Sequence, residues 1–308
     1  MQARSESLRG VYAAVINPRD EENRLDGSAL ARILRFLADS GIRGFALNGA
    51  TGEYCRNSPA DLASMLETAR NSLPADAAIL CGIGAADLRG VLERGRVAMA
   101  AGARAVLLPM PHFFPYEQHD LRAFCLEVAE RLSIDILLYN LPQFTTGLTV
   151  ATVCDLVREC PPIKGIKDSS GFLDVLRALA CDLPHAVRLV GNDGVLPEAL
   201  QENVCDGVVS GVAGVDSAAI CEGRRLQCGR GSSAPRIHRK AGYSARAVGI
   251  EVDCGEPGTG GSAVQSAAFG TADQPGKSAP GVVWKRAETS GCLNPPRNRC
   301  AAGKRGAR

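Results

Sequence analysis

The sequence lacks any run of apolar residues that approaches the ~20 needed to cross a membrane as a helix. Its first ten residues, "MQARSESLRG", are polar and contain no apolar segment of the kind found in secretory signals. These two absences argue against a membrane protein and against export. They predict a cytoplasmic location.

Metal-ligand spacings are also missing. The twelve cysteines include no C-x-x-C pair, and the four histidines form no pair at metal-binding spacing. In a chain without an export signal, scattered cysteines are most simply reduced thiols, several of them buried. We therefore expect no metal site.

A dinucleotide-binding fingerprint is absent as well. No G-x-G-x-x-G follows the first predicted strand, and "GIGAADLRG" at 82–90 has the wrong spacing, with no acidic residue about twenty positions on. We interpret it as a strand-to-helix turn, which argues against a dinucleotide-binding fold.

What is present between residues 11 and 215 is a regular alternation of short β-rich runs and longer stretches with helical spacing. Seven helices are predicted to begin near Gly27, Pro59, Asp87, Glu117, Thr149, Gly171 and Asp193. Eight strands are predicted at 11–16, 44–48, 77–82, 105–109, 134–140, 163–167, 187–192 and 206–211. Such alternation implies parallel strands with crossover helices, and eight units in roughly 200 residues favour a (β/α)8 TIM barrel. We assign this catalytic domain to residues 8–215.

The pattern stops where an eighth helix should follow. Residues 216–308 contain 15 Gly and 6 Pro but only 11 Leu, Ile, Val and Phe together. A segment so poor in large aliphatic residues cannot bury enough surface to offset its chain entropy. We predict a disordered tail in place of the eighth helix and of any helices beyond it.

The charge of this tail leaves three interpretations open. Residues 1–215 have a net charge of −6, and residues 216–308 have +8. A basic arm for nucleic acid is one interpretation, but the tail lacks interleaved aromatic residues, so nucleic-acid binding is not favoured. A natural disordered extension is the second. The composition favours the third, translation out of the native reading frame.

Reactive groups of a barrel of this type lie at the C-terminal ends of its strands. Lys167 lies there, at the end of the apolar run "PPIKGI". Desolvation among apolar walls would lower the pKa of its ammonium group, and a neutral amine can attack a carbonyl carbon to form a Schiff base. The structural alternative is a lysine whose ammonium group extends to solvent.

Two further strand ends fit that chemistry. Tyr139 ends the neighbouring strand, so its hydroxyl could shuttle protons for Lys167, although a buried structural tyrosine is otherwise the commoner case. The turn "NGATGE" at 48–53 offers backbone N–H groups and the Thr51 hydroxyl, which together can hold a carboxylate.

Four motifs together give a specific resemblance: "GATGE" at 49–53, "YNLP" at 139–142, "GIKDSSG" at 165–171 and "GND" at 191–193. In order and spacing they resemble the dihydrodipicolinate synthase / N-acetylneuraminate lyase family, the class I pyruvate-dependent aldolases. The resemblance implies a TIM barrel, usually a homotetramer, with no metal or organic cofactor.

The resemblance also implies residue roles. Lys167 would form the Schiff base with pyruvate or another 2-oxo acid, and Tyr139 would donate and accept protons. The turn with Ala50 and Thr51 would bind the carboxylate of the 2-oxo acid. Gly191 and Val209 would line the pocket.

The sequence departs from the family's pattern at three places. Ala50 stands where the family usually has Thr or Ser, whose hydroxyl links the tyrosine relay. Phe113 stands at the place of the relay's second tyrosine. The segment after "YNLP" supplies Gln143, Phe144 and Thr145, without the arginine that holds the carboxylate of aspartate semialdehyde.

These departures favour a 2-keto-3-deoxy sugar-acid-like partner, with hydroxyls held by Gln143, Thr145 and Thr146, in a reaction that makes or breaks a C–C bond with an aldehyde. Two alternatives stay open. One is 4-hydroxy-tetrahydrodipicolinate synthase, an enzyme of lysine biosynthesis. The other is a catalytically defective barrel that binds 2-oxo acids, because loss of the eighth helix would expose apolar surface worth about ten kcal/mol.

Overall fold

The computed structural model describes residues 8–214. The predictions about residues 216–308, including the missing eighth helix, lie outside the described residues. Within residues 8–214 the chain forms eight strands: β1 (Gly10–Ala14), β2 (Gly44–Leu47), β3 (Ala78–Gly82), β4 (Ala105–Pro109), β5 (Ile136–Asn140), β6 (Ile163–Asp168), β7 (Val187–Val190) and β8 (Gly207–Ser210).

The strands close into a parallel barrel in the order β1 to β8. Each strand pairs with the next along the chain, and β8 pairs with β1 through the register Gly10 to Gly207 and Tyr12 to Val209. The predicted TIM barrel is confirmed. Because a closed barrel leaves no strand edge unpaired, the carboxyl ends of all eight strands form one continuous rim.

Seven α-helices connect the strands in this part of the chain. They are α1 (Gly27–Asp39), α2 (Pro59–Ser72), α3 (Leu88–Ala100), α4 (Gln118–Arg131), α5 (Val150–Glu159), α6 (Asp174–Asp182) and α7 (Leu196–Gln201). The predicted start of α2 at Pro59 is confirmed, and Ser58 and Asp61 form a reciprocal capping box ahead of it.

Two predicted helix starts were placed too early. Helix α6 begins at Asp174 and not near Gly171, because Gly171 has a φ of +86° and the Ser170 hydroxyl accepts from the Phe172 N–H in a local turn. Helix α7 begins at Leu196, after one turn of 3-10 helix at Asp193–Val195.

The core has two parts. The larger lies between the barrel and its helices and is rich in Leu, Ile and Val. The smaller fills the barrel interior and includes Tyr12, Leu80, Leu107 and Tyr139. Alternate residues along each strand therefore face either the helices or the barrel interior, as the period-2 geometry of strands requires.

Strand β6 has an irregularity that precedes the site. Its pairing with β5 shifts register, so that Ile136 pairs with Ile163 but Leu137 pairs with Gly165. Lys164 is thus the extra residue of a β-bulge. Gly165 lies so close to Val187 that a Cβ atom would overlap the Val187 carbonyl oxygen, so only glycine fits there. The bulge sets the face of β6 on which the following residues lie.

None of the helices in the described part of the chain is long and apolar enough to span a membrane.

Candidate active site

A lysine and a tyrosine meet at the rim of the barrel. Strands β5 and β6 pair with Tyr139 opposite Lys167, which puts both side chains on the interior face. The Lys167 Nζ atom lies 2.7 Å from the Tyr139 hydroxyl oxygen. Lys167 is 4% exposed and Tyr139 is 2% exposed, so the pair is held out of bulk water.

Burial changes the acidity of both groups. Desolvation lowers the pKa of the Lys167 ammonium from 10.5 to about 7, and the nearby carboxylate of Asp193 opposes this change. Desolvation also raises the pKa of Tyr139 to about 12, with hydrogen bonds from the Ala50 backbone N–H and the Ser169 side chain acting in the opposite direction. At neutral pH a large share of the amine is therefore uncharged beside a protonated phenol.

The pair opens into a cavity of about 380 Å³. Five more residues singled out from the sequence line the same cavity: Ala50, Thr51, Gln143, Gly191 and Val209. They come from the rim ends of four different strands. The structure thus brings together seven of the nine site residues that the sequence suggested.

Thr145 and Thr146 are the exceptions. Neither is among the residues that line the cavity, and the Thr145 hydroxyl donates to the Leu141 carbonyl at 3.2 Å. Gln143 lines the cavity, but its Nε2 atom donates to the Ser169 carbonyl at 3.0 Å. Thr146 accepts a hydrogen bond from the Tyr116 N–H at 3.1 Å.

The absence of a side chain at Gly191 leaves room for the Lys167 side chain. A Cβ atom at residue 191 would overlap the Ser169 Oγ and would lie 2.9 Å from the Lys167 Cε. Because both atoms lie against the bare face of this glycine, any larger residue would displace the side chain that bears the amine.

The turn at 48–53 is held by buried amides. Asn48 has a φ of +54°, and its Nδ2 atom donates to the Gly82 carbonyl at 2.7 Å. Asn57 donates to the Asn48 Oδ1 at 2.7 Å and to the Gly52 carbonyl at 3.0 Å. Asn48 is fully buried and Asn57 is 2% exposed. This network fixes the backbone from which Ala50 and Thr51 face the cavity.

Ser169 and Asp193 are two of the polar residues that line the cavity and to which no role was assigned from the sequence. Ser169 follows β6, and its hydroxyl donates to the Gly191 carbonyl at 3.2 Å. Asp193 follows β7; its Oδ2 accepts from the Gly211 N–H at 3.2 Å, and its buried Oδ1 has no partner within the described residues. Ser169 belongs to the motif "GIKDSSG" and Asp193 to the motif "GND". Both motifs follow strand ends, and that position could have indicated these residues as site residues.

Lys167 is the one cation and Asp193 the one carboxylate among the described residues that line the cavity. In residues 8–214 there is no group of three or more His, Cys, Asp or Glu side chains that could hold a metal ion. The chemistry available here is that of an amine, a phenol, a hydroxyl and a carboxylate.

Fold and site together define a TIM barrel with a desolvated amine at its catalytic rim. The model of the Dihydrodipicolinate synthetase family matches residues 7–241, and the chain belongs to this family. The resemblance stated from the four motifs is thereby confirmed, and with it a place among the class I aldolases and lyases.

Curated relatives agree with this assignment. The chain is 31% identical to the 4-hydroxy-tetrahydrodipicolinate synthase of Synechococcus sp. strain CC9605, over 74% of this chain and 76% of the relative. It is 27% identical to the enzyme of the same name from Porphyromonas gingivalis, over 66% of this chain and 69% of the relative.

Solved structures share the architecture. A crystal structure of dihydrodipicolinate synthase superposes with a TM-score of 0.66 at 27% identity, covering 71% of this chain and 75% of the other. The 2-keto 3-deoxygluconate aldolase from Picrophilus torridus superposes with a TM-score of 0.66 at 23% identity, covering 70% of this chain and 78% of the other. At that identity the second likeness shows the fold alone.

Proposed function

We propose that this protein is a Schiff-base-forming lyase that acts on pyruvate or a related 2-oxo acid and makes or breaks a C–C bond with a 2-keto-3-deoxy sugar-acid-like partner. The observation that supports this most directly is the buried pair of Lys167 and Tyr139, 2.7 Å apart, in a cavity whose described lining contains no other cation. A homotetramer and a cytoplasmic location, as expected from the sequence, belong to the same proposal.

The first steps follow from the acidity of the pair. The neutral Lys167 amine adds to the keto carbon, and a proton moves from nitrogen to the former carbonyl oxygen, which gives a carbinolamine. Tyr139 then donates its proton to that hydroxyl, which leaves as water. The products are an iminium on Lys167 and a phenolate on Tyr139, so atoms and charge balance.

The phenolate is placed to continue the reaction. It takes a proton from the carbon next to the iminium, which regenerates the phenol and leaves an enamine. In the synthetic direction the enamine carbon attacks an aldehyde, the C=O electrons move to the aldehyde oxygen, and that oxygen takes the proton of Tyr139. Water then hydrolyses the iminium that has re-formed on Lys167, which releases the product and returns the proton to Tyr139. The reverse sequence cleaves the bond. Thr51 and the backbone amides of its turn would hold the 2-oxo acid carboxylate, with Ala50, Gly191 and Val209 as pocket walls.

The charges of the cavity bear on the second substrate. A carboxylate is best recognised by an arginine fork, and the described residues that line the cavity supply none. The buried Oδ1 of Asp193, which has no partner among those residues, instead favours a hydrogen-bond donor such as a hydroxyl group. This supports a neutral, hydroxylated aldehyde over aspartate semialdehyde, with Gln143 as a further contact. Thr145 would contact such a substrate only if its segment moved.

The proposal predicts covalent capture of pyruvate. Incubation of the full chain with pyruvate and borohydride should reduce the imine to a stable adduct, located on Lys167 by peptide mass mapping. Lys167→Arg should abolish the adduct. Lys164→Arg is the matched control, because Lys164 lies on the same strand but contacts Asp135 outside the barrel. Folded protein that forms no adduct with pyruvate or other 2-oxo acids would contradict the proposal.

The second substrate is tested next. Pyruvate release from 2-keto-3-deoxygluconate, followed with a coupled dehydrogenase, should exceed by at least tenfold the condensation of pyruvate with aspartate semialdehyde. The opposite order would support the alternative that the chain is a 4-hydroxy-tetrahydrodipicolinate synthase, which the names of its relatives favour. Imine formation without turnover of either partner would support a defective barrel that binds 2-oxo acids.

A further inference from the structure

The Tyr139 hydroxyl needs a partner when it becomes charged. In the proposed reaction it is a phenolate between loss of water and enamine formation, and an unsupported phenolate in a buried cavity is costly. Residue 50 supplies a backbone N–H but no side-chain hydroxyl, because it is alanine. The Lys167 nitrogen, 2.7 Å from the Tyr139 oxygen, is a second donor, but a side-chain hydroxyl has to come from another part of the rim.

Ser169 occupies a suitable place. It follows Lys167 by two residues, so the alternation of the strand puts both side chains on the interior side. Its backbone N–H donates to the Asn140 carbonyl at 3.0 Å, which ties it to the end of the strand that bears Tyr139. Its side chain lines the cavity with Tyr139 and Lys167.

The Ser169 hydroxyl has two possible acceptors. It donates to the Gly191 carbonyl at 3.2 Å, and it lines the same cavity as Tyr139, where its side chain acts to lower the pKa of the phenol. A single hydroxyl hydrogen cannot serve both acceptors at once, but rotation about the Cβ–Oγ bond moves it from one to the other. The Ser169 hydroxyl can thus donate to the phenolate of Tyr139, and it can donate to the Gly191 carbonyl again when the phenol re-forms.

We propose, building on the function above, that Ser169 is a positioning residue that supplies across the cavity the hydroxyl that Ala50 lacks. It donates to the Tyr139 oxygen while that oxygen is negatively charged and returns to the Gly191 carbonyl afterwards. Because this bond strengthens only as charge develops, Ser169 contributes to the rate and not to the binding of the 2-oxo acid.

The test uses pyruvate alone, so it does not depend on the second substrate. Enamine formation exchanges the methyl protons of pyruvate with deuterium from D2O, which NMR follows directly. We compare the full chain with Ser169→Ala, with Ser170→Ala and with the double variant Ser169→Ala/Ala50→Thr. Ser170→Ala is the matched control, because within residues 8–214 the hydrogen bonds of the Ser170 hydroxyl are local ones with Phe172.

Ser169→Ala should lower the maximal exchange rate by about 10- to 100-fold, while the half-saturating pyruvate concentration stays within about twofold. Ser170→Ala should exchange like the unaltered chain. The double variant Ser169→Ala/Ala50→Thr should exchange at least tenfold faster than Ser169→Ala alone. The reason is that the threonine places a hydroxyl on the residue whose backbone N–H already donates to the Tyr139 oxygen.

Equal exchange by Ser169→Ala and Ser170→Ala would overturn the role of Ser169. A loss that Ala50→Thr does not reverse would also overturn it, since the defect would then not be a missing hydroxyl. A borohydride adduct on the unaltered chain supports Schiff-base formation by Lys167, the first step of the function above, whatever the serine variants do. If the unaltered chain forms no adduct and exchanges no protons, both the proposed function and this inference are contradicted.

Discussion

At the scale of the residue, the chemistry depends on two opposing influences on one amine. Burial lowers the pKa of Lys167 to about 7, whereas the Asp193 carboxylate raises it. A lysine in water is almost entirely protonated at neutral pH and cannot attack a carbonyl. Burial in the cavity therefore favours the neutral amine that the proposed reaction needs, and the Asp193 carboxylate limits how far the pKa of Lys167 falls.

This balance predicts a pH dependence for imine formation. Only the neutral amine attacks, so the borohydride trapping rate should rise with pH through a midpoint near the Lys167 pKa of about 7 and level off above it. Asp193→Asn removes the carboxylate that favours the ammonium, so the midpoint should move to lower pH. Trapping rates measured from about pH 5.5 to about pH 9 would locate the midpoint in each variant, because this range brackets the titration of the amine.

The control for this series is Asp174→Asn. Asp174 is exposed at the start of α6 and does not line the cavity, so its substitution should leave the midpoint in place. If the pH midpoint is the same in Asp193→Asn as in Asp174→Asn, the Asp193 carboxylate does not change the pKa of Lys167.

The positions of the candidate site residues were predictable from the sequence only in part. Lys167 and Tyr139 lie at the ends of predicted strands, so the expectation that reactive groups lie at strand ends placed both at the rim. Ser169 and Asp193 also follow strand ends, but their roles depend on which atoms they meet across the barrel. Thr145 was expected near the substrate because it follows Gln143 and Phe144 in the sequence. In the structure its hydroxyl instead donates to the Leu141 carbonyl within the same loop.

At the scale of the element, the turn at 48–53 is held from outside by the side chain of Asn57, together with that of Asn17, which also donates to the Gly52 carbonyl. Asn57 joins the Asn48 side chain to the Gly52 carbonyl, and its own Oδ1 accepts from Arg19 Nη2 at 2.6 Å. The positive φ of Asn48 is an unfavourable conformation for most residues, and such conformations persist when the surrounding contacts fix them.

Asn57→Ala should therefore loosen the turn. It leaves buried donors and acceptors without partners, which costs about 1–3 kcal/mol for each such group. We expect a lower free energy of unfolding in urea and, because the turn would bind the carboxylate, a higher half-saturating pyruvate concentration in the exchange assay. Asn71→Ala, at an exposed site on α2, is the control. Unchanged values for both quantities in Asn57→Ala would show that the network does not support the turn.

The elements themselves were largely predictable because their signals are local. The apolar spacing and the Ser58–Pro59 start of α2 lie within a few residues of one another. The bulge at Lys164 and the 3-10 turn at Asp193–Val195 were not predictable, since they depend on contacts between strands and loops.

At the scale of the whole molecule, closure of the barrel depends on two glycines. Gly10 on β1 pairs with Gly207 on β8, and a Cβ atom at residue 207 would overlap the Gly10 carbonyl oxygen. The obstacle is backbone, which cannot rotate away as a side chain can. The alternation of strands and helices predicted a barrel, but only the structure shows that its closure requires this close approach.

Gly207→Ala should destabilise the barrel by about 2–4 kcal/mol, because the added methyl group forces β1 and β8 apart. Gly27→Ala is the matched control, since the added atom would lie 3.5 Å from Thr68 Oγ1 and alanine favours the first turn of a helix. Urea unfolding should show a loss for Gly207→Ala and none for Gly27→Ala. Val209 lines the cavity two residues further along β8, so folded Gly207→Ala protein should also exchange pyruvate protons more slowly. Equal stability of the two variants would mean that the barrel closes without the contact between Gly10 and Gly207.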